Sequence, residues 1–157
     1  MDISDKALIT APRELVWEML NDPEVLSACI PGCQSLERTP EGGFAATVKL
    51  KIGPVSATLR GAVRLENIVA PQSYTIAGEG EGGIAGFARG KCDVALEEID
   101  EGTLLSYSAH AEVGGKLAQL GSRLILSTAR KLAGQFFASF AAMAEARSDA
   151  LRAGATY

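Results

Sequence analysis

Gly114-Gly115-Lys116-Leu117-Ala118-Gln119-Leu120-Gly121-Ser122-Arg123 opens the last quarter of a 157-residue chain. From Gly114 onward the sequence reads as one long amphipathic helix. Leu117, Leu120, Leu124, Ile125, Thr128, Leu132, Phe136, Phe140 and Met143 recur mostly three and four apart. A helix of that length cannot bury such a stripe on itself. It needs a sheet broad enough to lie across.

The middle of the chain supplies the strands. Phe44, Ala46, Val48, Leu50 and Ile52 alternate with Ala45, Thr47, Lys49 and Lys51, and Gly53-Pro54 makes a turn. Val55, Ala57, Leu59, Gly61, Val63 and Leu65 then alternate with Ser56, Thr58, Arg60, Ala62, Arg64 and Glu66. After Pro71-Gln72-Ser73 come Tyr74 and Ile76, a glycine-rich stretch, and Cys92, Val94, Leu96 and Ile99. Asp100-Glu101-Gly102 reads as a hairpin turn into Thr103, Leu105, Tyr107, Ala109, Ala111 and Val113. Short turns between successive strands imply an antiparallel sheet.

Ahead of this run, residues 3–10 are strand-like. Pro12 falls in the first turn of a helix carrying Leu15, Val16, Met19 and Leu20. Asn21-Asp22-Pro23-Glu24 ends it and caps a second short helix, which stops at Ile30-Pro31-Gly32. The predicted architecture is α+β: one strand, two short helices, a curved antiparallel sheet of about seven strands in all, and a long C-terminal helix across one face. Residues 1–152 form one domain and 153–157 a tail. Ala57, Gly61, Gly78, Gly80, Gly86, Gly90, Ala109 and Ala111 fall along the strands. Small inward side chains leave space and glycines let a sheet bend, so the fold is expected to enclose a cavity.

The composition narrows the partners. Hydrophobic residues make up 47% and charged residues 22%, as in ordinary globular domains. A net charge of −4 argues against nucleic acid, which requires a clustered basic surface. Arg123, Arg130 and Lys131 interrupt the most apolar part of the C-terminal region, so no transmembrane span is expected. Met1-Asp2-Ile3-Ser4-Asp5-Lys6 does not open a secretory signal, and the expected location is cytoplasmic. Cys29, Cys33 and Cys92 read as reduced structural thiols. With His110 the lone histidine, no metal site is expected.

Four stretches resemble the CoxG family, named for carbon monoxide dehydrogenase, within the START-like, or SRPBCC, superfamily of helix-grip folds. They are Ile30-Pro31-Gly32-Cys33, Gly53-Pro54-Val55, the glycines 78, 80, 82, 83 and 86 around Ala85, and Val113 through Arg123. The last is the most specific. The resemblance implies an accessory protein, not itself an enzyme, that serves a molybdenum hydroxylase of the carbon monoxide dehydrogenase type. Its role would lie in membrane coupling or assembly. It also implies a hydrophobic ligand, with respiratory quinone the leading candidate and no tightly bound cofactor. Peripheral contact at the inner face of the membrane is a further implication. Longer family members carry a C-terminal extension suited to such contact, whereas this sequence stops at Tyr157.

Several motifs invite other readings. Gly78-Glu79-Gly80-Glu81-Gly82-Gly83 satisfies GxGxxG, but a dinucleotide site needs a helix opening at once, and here the glycines continue to Gly86 and Gly90. A hairpin or bulge with close backbone approach is expected instead. Gly114-Gly115-Lys116 lacks the Ser or Thr of a phosphate loop. It reads as a flexible joint, or as a hinge on which the helix rocks. His110 shares a strand face with Ser108 and Glu112 and should point to solvent. Glu79, Glu81 and Asp93 sit in or near turns, and no catalytic set is legible. Trp17 belongs either to the core or to the cavity mouth. Phe136 and Phe137 are adjacent, so one of them is expected to be exposed or to touch a partner. Ile30-Pro31-Gly32 is either the cavity entrance, by family analogy, or a structural turn.

The residues expected to line the ligand space are Val48, Leu50, Leu59, Val63, Tyr74, Ile76, Tyr107, Ala109, Leu120, Leu124 and Thr128, with the two tyrosines orienting a polar head group. The alternatives are a cyclase- or hydrolase-like enzyme of the same superfamily, and an assembly factor that holds no ligand.

Overall fold

Period-two alternation and short turns produce a single sheet. The computed structural model describes residues 1–154. β1 (Asp2–Ile9) leads into α1 (Arg13–Leu20) and α2 (Pro23–Cys29). β2 (Cys33–Arg38), β3 (Phe44–Ile52), β4 (Val55–Val69), β5 (Ser73–Glu81), β6 (Phe87–Ile99) and β7 (Gly102–Gly114) follow. α3 (Lys116–Gln119) and α4 (Ser122–Gly154) complete the chain. The seven strands lie in the order β1-β7-β6-β5-β4-β3-β2, every neighbour antiparallel. This is the expected α+β helix-grip architecture.

Four local features differ from the sequence expectation. The C-terminal helix is broken: Gly121 takes a φ of +87°, which separates the single turn of α3 from α4. α4 then runs through Gly154, so the expected tail at 153–157 begins inside a helix, and 155–157 lie outside the described residues. β2 has no alternating apolar pattern, since Leu36 is its lone large hydrophobe, and its partner β3 draws it into the sheet. Pro12 caps α1 from outside with extended geometry instead of occupying its first turn. α2 is capped as expected, Asp22 Oδ1 accepting from the Glu24 amide at 2.9 Å.

Register brings the small and large inward residues side by side. Val63 faces Gly78, Ile76 faces Cys92, Cys92 faces Ala109 and Val94 faces Tyr107. The glycines bend the sheet by letting backbones crowd. A Cβ on Gly61 would sit 1.9 Å from the Glu79 carbonyl oxygen, and one on Gly90 2.4 Å from that of His110. Gly86 is not in a strand. It closes the 3₁₀ turn Gly83–Ala85 between β5 and β6 with a φ of +114°.

The apolar interior divides into two clusters. The larger packs α1, α2 and the C-terminal half of α4 on the sheet through Ile9, Val16, Met19, Val25, Leu105, Phe140 and Ala144. Full burial of each large side chain contributes about 1.5–3 kcal/mol. The smaller gathers Leu117 of α3 with Ile52 and Ala57, flanked by Leu59, Val113, Leu120 and Leu124. It seals the opposite end of the sheet, where the β3–β4 turn meets the start of α4.

Candidate ligand cavity

Between these clusters the concave face of the sheet and α4 border a cavity of about 670 Å³ that is partly open to solvent. That is within the range of small-molecule sites, roughly 300–1,000 Å³. Two sets of small residues keep it open: Ala46, Gly61, Gly78, Gly80, Gly90, Ala109 and Ala111 on the sheet, Ala129 and Ala133 on the helix. Were these positions Leu or Phe, the two layers would interdigitate as in an ordinary core.

Val48, Leu50, Leu59, Val63, Tyr74, Ile76, Tyr107 and Ala109 all lie on the cavity wall. Leu120 and Leu124 do not. They pack in the smaller cluster, and Leu124 Cδ2 would lie 2.9 Å from a Cβ on Gly53. Thr128 is also off the wall and returns its hydroxyl to the Leu124 carbonyl at 2.8 Å. α4 is continuous through Leu124 and Thr128: its start packs into the smaller cluster through Leu124, and further along it presents Ala129, Ala133, Phe136 and Phe137 to the cavity. Both phenylalanines face inward, against the expectation that one would be exposed. Their rings meet edge to face at 5.0 Å; Phe137 stacks on Tyr107 at 5.3 Å and Phe136 on Phe140 at 5.7 Å.

Ile30, Leu26 and Leu36 close the wall near β2. Pro31 and Gly32 stand just outside it, and Gly32 is required by contact: its φ is +76° and a Cβ would lie 2.1 Å from the Lys49 carbonyl oxygen. Gly114 and Gly115 also answer to packing. The Phe87 ring covers Gly114, and a Cβ on Gly115 would fall 2.6 Å from the Gly86 Cα. Trp17 is half-buried behind the wall, its ring 5.0 Å from that of Tyr74.

The wall is almost wholly apolar. Tyr74, Tyr107 and Cys92 are its polar residues at inward strand positions, while Glu79, Arg89, Lys91 and His110 border it from the alternate positions of the same strands. Burial raises the Tyr74 hydroxyl well above the ordinary tyrosine value, with Cys92 nearby adding to the effect. Burial also pushes the Cys92 thiol up to about 11, helped by the Asp93 carboxylate. Tyr107 is raised by burial first and by Asp5 second. All three are therefore neutral near pH 7 and offer O–H or S–H donors without charge. Of the candidate acids and base, Glu81 and Asp93 are off the wall, whereas Glu79 and His110 border it. Glu79, Glu81 and Asp93 are exposed, and Asp93 accepts the Thr75 hydroxyl at 2.7 Å. His110 is exposed and its Nδ1 lies 2.8 Å from Asp2 Oδ1. Among the described residues no group of three or more His, Cys, Asp or Glu could hold a metal ion, and no helix is long and apolar enough to cross a membrane.

What sequence reasoning missed was the helical wall. Its signal was present in the helical spacing Ala129-Ala133-Phe136-Phe137, in which small residues and aromatics share one face.

The family model for CoxG, a component of carbon monoxide dehydrogenase, matches residues 6–145. Among solved structures, a conserved protein from Geobacillus kaustophilus is 32% identical, with 92% of this chain and 93% of that one covered and a TM-score of 0.82. The ZhuI aromatase/cyclase from a Streptomyces species is 15% identical over 94% of each chain, TM-score 0.64. Ara h 8.0201 is 16% identical over 93% of this chain and 98% of its own, TM-score 0.63. The last two share the fold. No curated protein matches the chain.

Proposed function

Because the chain belongs to the CoxG family of carbon monoxide dehydrogenase, we propose that it is an accessory protein that carries a hydrophobic small molecule, with a quinone as the leading candidate. The carried molecule serves a molybdenum hydroxylase of the carbon monoxide dehydrogenase type, at the cytoplasmic side of a membrane, in coupling or assembly. The observation that supports this reading is the cavity itself: about 670 Å³ of space with an apolar wall and three uncharged donors. A quinone fits that chemistry, since its ring and tail are apolar and its carbonyl oxygens accept hydrogen bonds. Burying about 300 Å² of such a ligand yields roughly 7 kcal/mol gross. Association costs of several kcal/mol leave an affinity weak enough for release.

The enzyme alternative gains no support from the wall. Glu79 and His110 border the cavity, but both are exposed residues at strand positions alternate to the inward ones, and His110 is engaged by Asp2, while the buried tyrosine and thiol on the wall hold their protons at neutral pH. A ligand-free assembly role would leave the cavity without a use.

Native mass spectrometry of gently purified protein, with an organic extract read by ultraviolet and mass spectra, tests the proposal. A bound apolar molecule, or saturable uptake of a short-chain quinone, is the expected result. A protein that arrives empty and ignores added quinones refutes it.

A further inference from the structure

The corner farthest from α1 and α2 presents its apolar residues in reverse order. In the turn Gly83–Ala85, Ala85 packs inward against the smaller cluster while Ile84 is 81% exposed. Burial alone would favour the opposite choice, since isoleucine gains more than alanine on leaving water. The turn is not loose. The Gly82 amide bonds the Gly86 carbonyl at 2.8 Å, and Ala85 and Gly86 donate back to Gly82 and Gly83 at 3.2 and 3.1 Å. Phe87, at the start of β6, is 39% exposed with the Arg89 guanidinium 5.6 Å from its ring centre.

The charge around this corner runs against that of the whole chain. Lys51, Arg60, Arg89, Lys116 and Arg123 are exposed at this end, against Glu79, Glu81 and Glu112, with Arg89 already paired to Glu112 at 2.9 Å. That is a surplus of two positive charges in a chain of net −4, so the remainder carries −6. The β6–β7 hairpin at the far end carries Glu97, Glu98, Asp100 and Glu101. The molecule is therefore polarised along the strands, with its protruding apolar tip at the positive pole.

From this geometry we infer that the Ile84–Phe87 corner is a docking surface for an anionic lipid bilayer. Ile84 enters the headgroup boundary, and the surrounding cations face the lipid phosphates while the acidic far end stays in water. A fixed tip with a basic collar suits a bilayer better than a protein face, which needs a broad complementary area. The inference rests on the membrane half of the proposed function and is independent of what fills the cavity.

Flotation with vesicles of phosphatidylcholine and phosphatidylglycerol in equal parts tests it. The wild-type chain co-floats with these vesicles, floats less with pure phosphatidylcholine, and detaches as salt rises. Ile84→Asp lowers the partition coefficient by roughly tenfold or more, the scale expected for losing one buried isoleucine. Lys116→Glu with Arg123→Glu lowers it too and flattens the salt dependence. Thermal melts establish that the variants are folded, and short-chain quinone uptake by Ile84→Asp stays at the wild-type level because Ile84 is not on the cavity wall. The inference is overturned if the wild-type chain remains unbound, or if Ile84→Asp floats as well as wild type. It is also overturned if Ile84 controls binding to the purified hydroxylase while vesicles are ignored. A chain that floats but takes up no quinone refutes the cavity reading and leaves the docking surface standing.

Discussion

Replacing Ala133 with phenylalanine should make the protein more stable and a poorer carrier. Ala133 projects from the middle of α4 into a cavity of about 670 Å³, so a phenyl ring has room to enter. Burying about 100 Å² of that ring contributes roughly 2.5 kcal/mol. Side-chain ordering takes back about 0.5–1 kcal/mol and the lower helix propensity about another 0.5. The ligand-free protein should therefore gain about 1 kcal/mol, or about 2–4 °C in Tm. The same ring occupies wall that a ligand would cover. If it removes about a third of the ligand's 300 Å² contact, about 2.5 kcal/mol of affinity is lost, near sixty-fold in Kd. Scanning calorimetry of the ligand-free protein gives the first quantity. Titration with a short-chain quinone, read through the fluorescence of Trp17 behind the Tyr74 wall, gives the second. A solid interior would reverse the first sign, because overpacking costs about 1–3 kcal/mol. A lower Tm with unchanged quinone affinity would refute the reasoning.

Gly61→Ala should destabilise the sheet by about 1–3 kcal/mol, since its Cβ meets the Glu79 carbonyl oxygen at 1.9 Å, whereas Gly80→Ala, with its nearest contact at 3.6 Å, should be tolerated; urea melts of the pair decide it. Phe140→Ala empties the centre of the larger cluster and should cost about 3–5 kcal/mol, measured by the same melts. The raised Cys92 thiol implies a pH dependence. The folded state holds that proton more tightly than the unfolded chain, so its contribution is complete below pH 9 and is lost as pH climbs towards about 11. In Cys92→Ala, the fall of Tm across that window should be shallower, and an unchanged slope would remove Cys92 as its source.

The sheet was legible in the sequence wherever one face is apolar and the other wet. β3, β4 and β7 alternate almost without fault, and their inward residues all reach the concave side. β2 was not legible, because an edge strand with one large hydrophobe owes its place to its neighbour's hydrogen bonds instead of its own pattern. On the sheet, the candidate wall followed directly from parity. On the helix it failed, because the stripe of larger residues was followed and the small ones were passed over: Leu124 packs into the smaller cluster, while Ala129 and Ala133 of the same unbroken helix border the void. Ile84 was equally hidden, since nothing local announces that a turn will bury its alanine and present its isoleucine.

The inward glycines and alanines divide into two kinds with different freedom to change. Gly61 and Gly90 are locked by a neighbouring carbonyl and dictate the arc of the vault. Gly80, Ala129 and Ala133 touch the void without such a constraint and dictate only how much it holds. Contour and capacity thus reside at separate positions. A lineage could exchange one cargo for another by altering the second group alone, without rebuilding the shell.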